Sequence, residues 1–292
     1  MVDRLERPTW IRAKSSDSDG FRETLRIIRD SNIHTVCEES LCPNIGECWR
    51  NKTATFLIMG GICTRKCGFC NIKTGVPLAL EPLEPKNIAK SIKELGIKYV
   101  VITSVTRDDL PDGGAKHFAE VIVEIREQNP DVKIEILTPD FQKNFDSIKV
   151  VAEAKPDVFG HNIEIVKRLH NKVKRAPADY NISVNILKWI KEQYPDITTK
   201  TGMMVGVGEK IEEVFEVIKD LVDAKVDILT IGQYLTPSTD HYPVVRYVTP
   251  DEFEEFKRVG EELGIKSVIS GPLVRSSYKA GEAFNGICKS RL

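Results

Sequence analysis

Apolar, β-branched runs alternate with amphipathic stretches along the chain from about residue 53 onward. Such short runs, bounded by polar residues or glycine, are typical of buried strands. The predicted strands are Ala54–Gly60, Tyr99–Val105, Lys133–Leu137, Val158–Ile163, Gly202–Val207 and Ile228–Gln233. A further apolar run, Ser267–Ile269, leads into Gly271-Pro272-Leu273.

The stretches between these runs carry apolar residues at i, i+3 and i+4, which predicts helices. They are Lys86–Leu95, Ala115–Gln128, Phe145–Ala154, Ser183–Tyr194, Lys210–Ala224 and Pro250–Leu263. Thr249 is a predicted N-cap, because Pro250 and two acidic residues follow it. Strands that alternate with helices indicate an α/β fold with a parallel sheet and right-handed crossovers.

Six strand–helix units are too few to close an eight-stranded barrel, and periodicity alone leaves a doubly wound open sheet as an alternative. In either architecture, ligands bind at the carboxyl ends of the strands. Residues 1 to about 52 are polar and irregular, apart from a helical stretch near Phe21–Ile33. No internal repeat or long linker marks a second independent domain.

Composition narrows the class of protein. The 292 residues are 41% hydrophobic and 29% charged, which is ordinary for a globular protein. The net charge of −1 offers no bulk attraction to nucleic acid or membrane, so we expect neither as a partner. The first residues lack the apolar core of a signal peptide, and no apolar run approaches the roughly 18–20 residues of a membrane span. We therefore expect a cytoplasmic protein, in which clustered cysteines indicate metal or redox chemistry rather than disulfides.

Six of the seven cysteines form two triplets. The first is Cys-x4-Cys-x5-Cys, at Cys37, Cys42 and Cys48, and the second is Cys-x3-Cys-x2-Cys, at Cys63, Cys67 and Cys70. Each triplet is one ligand short of the four that a cubane iron–sulfur cluster or a tetrahedral zinc takes. The seventh, Cys288, is predicted to be a free thiol in a loosely ordered tail.

The second triplet directly follows the first predicted strand, at the ligand-binding end of a parallel sheet. Its spacing, with Phe69 just before the last cysteine, resembles the signature of the radical S-adenosylmethionine superfamily. The resemblance implies that Cys63, Cys67 and Cys70 hold a [4Fe–4S] cluster whose fourth iron binds S-adenosylmethionine, and that Phe69 lies against the adenine. The alternative is a zinc knuckle, which needs a fourth ligand; the nearest downstream histidine, His117, is on a predicted helix.

Paired with the second triplet, the segment Cys37–Trp49 resembles lipoyl synthase. Four other segments share that resemblance: Gly60–Arg65, Thr103–Leu110, Gly232–Ser238 and Gly271–Tyr278. The resemblance covers the chain from about Pro8 to Tyr278.

The lipoyl synthase resemblance implies a second, auxiliary [4Fe–4S] cluster, held by Cys37, Cys42, Cys48 and the oxygen of Ser277 in Arg275-Ser276-Ser277-Tyr278. A serine oxygen binds iron less firmly than a thiolate, which suits a cluster that is taken apart. The resemblance also implies a partial (β/α)6 TIM-type barrel over residues 53–265. An N-terminal extension, residues 1–52, and a C-terminal one, residues 266–292, would cap the carboxyl ends of its strands.

The reaction implied by the resemblance is the insertion of two sulfurs at C6 and C8 of an octanoyl chain, with radicals derived from S-adenosylmethionine and with the auxiliary cluster as sulfur donor. The octanoyl chain is amide-linked to a lysine of a lipoyl carrier domain or of the glycine cleavage H protein. An electron donor such as ferredoxin or flavodoxin and an iron–sulfur cluster carrier are implied as further partners.

Two other classes stay open. One is another radical S-adenosylmethionine enzyme with an auxiliary cluster, such as a biotin-synthase-like sulfurtransferase or a maturase. That class explains the second triplet but not the pairing of Cys37–Cys48 with Arg275–Tyr278. The other is a zinc-stabilised binding protein.

Several polar residues at predicted strand ends are candidates for binding S-adenosylmethionine. Thr103 and Ser104 are placed to bind its amino group, and a plain strand-end turn is an equally open interpretation. Asn162 and Glu164 alternate with apolar residues, so both are predicted to point into the barrel, where a ribose or an ammonium would pair with the glutamate. Arg175 is a candidate for the carboxylate, or else a solvated surface residue.

Overall fold

Seven of the described strands run parallel through the centre of the structure, a computed structural model that describes residues 5–13, 18–31, 33–174 and 179–289. In chain order the strands are β1 (His34–Thr35), β2 (Thr55–Ile58), β3 (Ile62–Cys63), β4 (Lys73–Thr74), β5 (Tyr99–Ser104), β6 (Lys133–Leu137), β7 (Val158–Gly160), β8 (Thr198–Val205), β9 (Ile228–Gln233) and β10 (Ser267–Gly271). The main sheet has the order β1-β2-β5-β6-β7-β8-β9-β10, with β1 antiparallel to β2 and all other pairs parallel. Over the described residues β1 and β10 do not pair with each other, so the sheet forms an open, partial barrel whose mouth lies at the carboxyl ends of the parallel strands.

Six helices connect the parallel strands, and four others lie in the N- and C-terminal parts. They are α1 (Asp19–Asp30), α2 (Val36–Glu39), α3 (Ile45–Arg50), α4 (Glu84–Leu95), α5 (Ala115–Gln128), α6 (Phe145–Glu153), α7 (Tyr180–Gln193), α8 (Ile211–Asp223), α9 (Pro250–Glu262) and α10 (Ala280–Lys289). The predicted α/β fold with its parallel sheet is confirmed, and the apolar run at Ser267–Ile269 forms part of a seventh parallel strand. None of the described helices is long and apolar enough to cross a membrane.

The N-cap predicted at Thr249 is present. The Thr249 hydroxyl accepts a hydrogen bond from the N–H of Glu252, and the Glu252 carboxylate accepts one from the N–H of Thr249. This reciprocal pair satisfies two N–H groups that a helix start leaves without partners. It explains why α9 begins at Pro250.

The start of β8 differs from the prediction. The strand begins at Thr198 rather than at Gly202, and its first four residues are polar yet almost fully buried. Their side chains are satisfied inside the protein: the Thr201 hydroxyl donates to the carbonyl of His161, and the Lys200 ammonium lies 2.7 Å from a carboxylate oxygen of Glu135. An apolar pattern cannot reveal a strand whose buried residues are polar.

The C-terminal tail also differs from the prediction, because residues Ala280–Lys289 form the helix α10. Ala283 and Ile287 of α10 pack with Ile228 at the start of β9, and the ring of Phe284 lies 5.8 Å from that of Tyr99 on β5. The helix thus joins strands from opposite halves of the open sheet. Cys288 lies in this helix and forms no disulfide with any described cysteine.

Asp227, just before β9, is a buried carboxylate that ties three elements together. It accepts hydrogen bonds from Lys191 on α7, from Lys266 before β10 and from the N–H of Thr199 on β8. Burial favours the neutral acid, but the hydrogen bonds from Lys191 and Lys266 outweigh it and lower the pKa of Asp227. The charged form is therefore the one that stabilises the fold.

We expect Asp227→Asn to lower the free energy of unfolding by about 1.5–3 kcal/mol at pH 7, since hydrogen bonds to a charged group are lost. The lowered pKa means that this stabilisation is full above the unfolded-state pKa of about 3.9 and disappears as the pH falls through the folded-state value. Urea unfolding of both proteins at pH 7 and near pH 3.5 measures the difference in their free energies of unfolding. A gap between the two proteins that stays constant over that range would contradict the assignment.

Candidate active site

A cavity of about 190 Å³ opens at the carboxyl ends of β5, β6 and β7, beside the loop that carries the second cysteine triplet. Its walls include all three cysteines of that triplet, Cys63, Cys67 and Cys70. The cavity therefore lies at the end of a parallel sheet where ligands bind in such folds.

The loop that carries the second triplet is held in place by segments that are distant in sequence. The N–H of Thr106, after β5, points at the sulfur of Cys63 at 3.3 Å, and the N–H of Gly68 donates to the carbonyl of Val173 at 2.8 Å. The carbonyl of Gly68 in turn accepts from the N–H of Tyr242 at 2.7 Å. A Cβ at Gly68 would lie 2.7 Å from the Val173 oxygen, so only glycine allows this approach. The three thiols are thus presented on a rigid loop.

An ion-pair cluster that the sequence did not predict lies within the same loop. Arg65 donates two hydrogen bonds to Asp108, at 2.7 and 2.8 Å, and a third to Asp140 at 2.7 Å. Burial works against the charge of Arg65, but the hydrogen bonds to the two aspartates outweigh it and raise its pKa. A signal was present in the sequence: Thr138-Pro139-Asp140 follows the third predicted strand, and strand ends line the mouth of a parallel sheet.

Five residues predicted to contact S-adenosylmethionine line the cavity together with the cysteines: Phe69, Thr103, Ser104, Asn162 and Glu164. The Thr103 hydroxyl donates to the carbonyl of Leu137 at 2.8 Å, which leaves its oxygen as an acceptor. Asn162 donates to the carboxylate of Glu164 at 3.2 Å. The sixth, Arg175, lies outside the described residues. The roles of all six as ligand contacts stay predictions.

The backbone at Glu164 has a φ of +69°, which a residue with a side chain seldom adopts. Its N–H donates to the carbonyl of Gly202, and its carbonyl accepts from the N–H of Met204, so β8 holds the residue in this conformation. Strain of this kind occurs where a side chain must be aimed at a fixed point. Here it accompanies a carboxylate at the cavity wall.

Two buried oxygens of the cavity wall lack hydrogen-bond partners among the described residues: Ser104 Oγ and Asp140 Oδ2. Buried polar atoms without partners cost about 1–3 kcal/mol each, and a bound polar ligand removes that cost. Together with three thiols, these oxygens fit a cluster that carries a polar organic ligand with hydrogen-bond donors.

The first triplet lies outside the barrel on two short helices and their connection. Cys37 is on α2, Cys42 on the connection and Cys48 on α3, and the N–H of Cys42 donates to the carbonyl of Cys37 at 3.1 Å. The strand β1 before Cys37 pairs with β2, which attaches this extension to the sheet next to the second triplet.

The C-terminal segment contacts the segment that carries the first triplet. The side-chain amide of Asn44 donates to the carbonyl of Leu273 at 2.6 Å, and the Tyr278 hydroxyl donates to Glu47 at 3.4 Å. Ser277 is next to Tyr278 in this segment, and its role as a cluster ligand stays a prediction. The segment crosses the end of β9 at Gly232, where a Cβ would lie only 2.0 Å from the carbonyl oxygen of Val274. Gly232 therefore lets the C-terminal segment pass over the barrel mouth.

Burial raises the pKa of Cys37 to about 12, that of Cys48 to about 11 and that of Cys70 to about 12. Thiols in this state are neutral near pH 7, and a metal must displace their protons on binding. No three His, Cys, Asp or Glu side chains in the described ranges converge closely enough for a single metal ion. In a cubane cluster each cysteine binds a different iron, so its ligands need not converge on one point. Soft thiolate donors at both triplets fit iron–sulfur clusters.

A parallel, open α/β sheet with a three-cysteine loop at its mouth defines a class of iron–sulfur barrel enzymes. A family model described as the radical SAM superfamily matches residues 57–221. The chain belongs to the radical SAM superfamily, whose members use S-adenosylmethionine and a [4Fe–4S] cluster.

Solved structures show the same fold. HydG, a maturase of the [FeFe]-hydrogenase, is 13% identical with a TM-score of 0.56 over 91% of this chain and 66% of its own. Streptococcus suis SuiB bound to S-adenosylmethionine is 14% identical with a TM-score of 0.54, over 87% of this chain and 57% of its own. Methylornithine synthase, PylB, is 15% identical with a TM-score of 0.54, over 76% and 72%. This chain thus spans little more than half the length of SuiB, and at these identities the similarity extends to the fold alone.

Proposed function

We propose that this radical SAM enzyme is a lipoyl synthase, which inserts two sulfur atoms at C6 and C8 of an octanoyl chain. The chain would be carried on a lysine of a lipoyl carrier domain or of the glycine cleavage H protein. The observation that supports this proposal most strongly is the meeting of the first triplet with the Arg275–Tyr278 segment beside the barrel mouth. Three cysteines and a serine from opposite ends of the chain are the donor set that an auxiliary cluster with one labile ligand needs.

The side chains divide into two sets of ligands. Cys63, Cys67 and Cys70 would hold the cluster that binds S-adenosylmethionine, while Cys37, Cys42, Cys48 and Ser277 would hold the auxiliary cluster. When bound, the first of these clusters with S-adenosylmethionine would supply an organic radical that removes hydrogen from unactivated carbon. The auxiliary cluster would supply the sulfur. No side-chain base can remove such a proton, so the protein contributes positioning rather than acid–base chemistry.

Positioning falls to the cavity wall. Phe69 offers an aromatic surface to an adenine, and the oxygens of Thr103, Ser104 and Glu164 offer acceptors to an ammonium or a ribose. The backbone bonds of Gly68 hold the cysteine loop against this wall, so a cluster bound by its thiols and a ligand in the cavity would be kept in a fixed relative position.

The test is an anaerobic assay with the reconstituted full chain, dithionite, S-adenosylmethionine and an octanoyl-lysyl peptide. We expect 5′-deoxyadenosine to be released and the peptide to gain two sulfur atoms, which mass spectrometry detects. The same peptide with a hexanoyl chain, which lacks C8, is the matched control and cannot accept the second sulfur.

The alternatives predict other results. Release of 5′-deoxyadenosine without sulfur on the peptide would leave a radical SAM enzyme of another kind, such as a maturase. A colourless protein that contains zinc and no iron after anaerobic purification would leave a zinc-stabilised binding protein. Ferredoxin or flavodoxin in place of dithionite, and an iron–sulfur cluster carrier for repeated turnover, are the partners that we expect to support the reaction.

A further inference from the structure

Arg275 differs from two other arginines around the site. Arg65 is paired with Asp108 and Asp140, and Arg107 forms a bidentate pair with Asp109. The guanidinium of Arg275 has no carboxylate partner in the described part of the chain. It donates one hydrogen bond there, from Nη1 to the carbonyl of the adjacent Val274 at 2.7 Å.

The environment of Arg275 makes this isolation costly. The residue is only partly exposed, and the segment on either side of it contacts the segment of the first triplet, through Leu273 with Asn44 and through Tyr278 with Glu47. A cation that is partly removed from solvent is unfavourable unless an anion compensates it. Near Arg275 the candidate anion is a group bound at the first cysteine triplet, because Asn44 and Glu47, which contact the segment on either side of Arg275, lie between Cys42 and Cys48.

The backbone holds Arg275 at this position. Val274 and Arg275 pass directly over Gly232 at the end of β9, and the N–H of Tyr278 donates to the Arg275 carbonyl at 2.9 Å. A guanidinium held by its own chain, in a segment that contacts the segment of the first triplet, is pre-organised for an anionic group there.

We propose that Arg275 is the positioning residue that compensates the negative charge of the auxiliary cluster and retains it at Cys37, Cys42 and Cys48. The inference rests on the proposed function, because it requires the first triplet to hold a cluster. A cluster bound by three thiolates and a serine oxygen is anionic, and a nearby cation strengthens its attachment and favours its reduction.

The test uses the full chain with Cys63, Cys67 and Cys70 all changed to alanine, so that the first triplet alone can bind a cluster. In this parent, Arg275→Gln is expected to lose iron to a chelator about 10–100 times faster, in line with other losses of groups that support metal ligands. The midpoint potential of the cluster in Arg275→Gln, followed by absorbance during a redox titration, should be more negative than that of the cluster in the parent. Arg275→Lys keeps the charge and should restore most of both properties.

Arg50→Gln is the matched control, because Arg50 is an exposed residue of α3 close to Cys48 in sequence and loses the same charge in solvent. It should behave like the parent. Circular dichroism of the cluster-free proteins checks that each is folded. If folded Arg275→Gln keeps the parent's chelator half-life and potential, or if Arg275→Lys loses as much as Arg275→Gln, the charge role is wrong. If the parent itself binds no cluster, both the auxiliary site and this inference fail.

Discussion

Replacing Cys42 by alanine is expected to abolish sulfur insertion while reductive cleavage of S-adenosylmethionine continues. Cys42 belongs to the first triplet, whereas the cavity that would hold S-adenosylmethionine is lined by the second. Substitutions of groups that only support metal ligands already cost about 10–100-fold, so loss of a ligand should reduce sulfur insertion by more than about 100-fold. The measurement is 5′-deoxyadenosine by chromatography and the sulfur content of the octanoyl peptide by mass spectrometry.

Cys67→Ala is the control for that experiment, because Cys67 belongs to the second triplet, and it should lose both activities. Iron content of each variant shows which cluster is missing. If Cys42→Ala loses cleavage as completely as Cys67→Ala, the two triplets do not have separate roles and the proposed division of labour is wrong.

Lys200→Met is expected to destabilise the cluster-free protein by about 3–5 kcal/mol, the largest effect that we expect away from the cysteines. The Lys200 ammonium lies 2.7 and 2.9 Å from the two carboxylate oxygens of Glu135, and both side chains are 2% exposed. Without Lys200, the buried carboxylate keeps one described side-chain donor, the hydroxyl of Tyr99. Urea unfolding followed by circular dichroism measures the change.

Two controls separate a broken buried pair from a general loss of charge. Lys133→Met removes an ammonium from β6, the strand that carries Glu135, but that side chain is 51% exposed, so we expect less than about 1 kcal/mol. The double variant Lys200→Met/Glu135→Leu removes both charges and should recover much of the loss. Equal destabilisation by Lys200→Met and Lys133→Met would refute the interpretation.

Much of the fold was predictable because apolar periodicity reflects the local geometry of strands and helices. The strands at Lys133–Leu137 and Ile228–Gln233 and the helix at Ala115–Gln128 have the predicted bounds. The prediction failed where buried residues are polar, as at Thr198–Thr201, since their partners are supplied by other elements. It also failed at α10, whose apolar residues pack against strands that begin far earlier in the chain.

The candidate site was likewise predictable only where it depends on local sequence. The cysteine spacings are local, and the strand-end positions of Thr103, Ser104 and Asn162 follow from the strand pattern. The ion-pair cluster of Arg65 with Asp108 and Asp140 was not predictable, because it joins three loops at separations of 43 and 75 residues.

The sequence by itself determines the alternation of strands and helices and the two cysteine triplets. Each of these features depends on residues within a few positions of one another. Which groups meet was decided by the tertiary structure. The contacts of Asn44 with Leu273 and of Tyr278 with Glu47 span 229 and 231 residues, and no local pattern encodes them. They exist because the open sheet brings both ends of the chain to the same mouth, where Gly232 leaves room for the C-terminal segment to cross. The lack of a carboxylate partner for Arg275 is likewise visible only in three dimensions, because partial burial and the set of described neighbours are properties of packing.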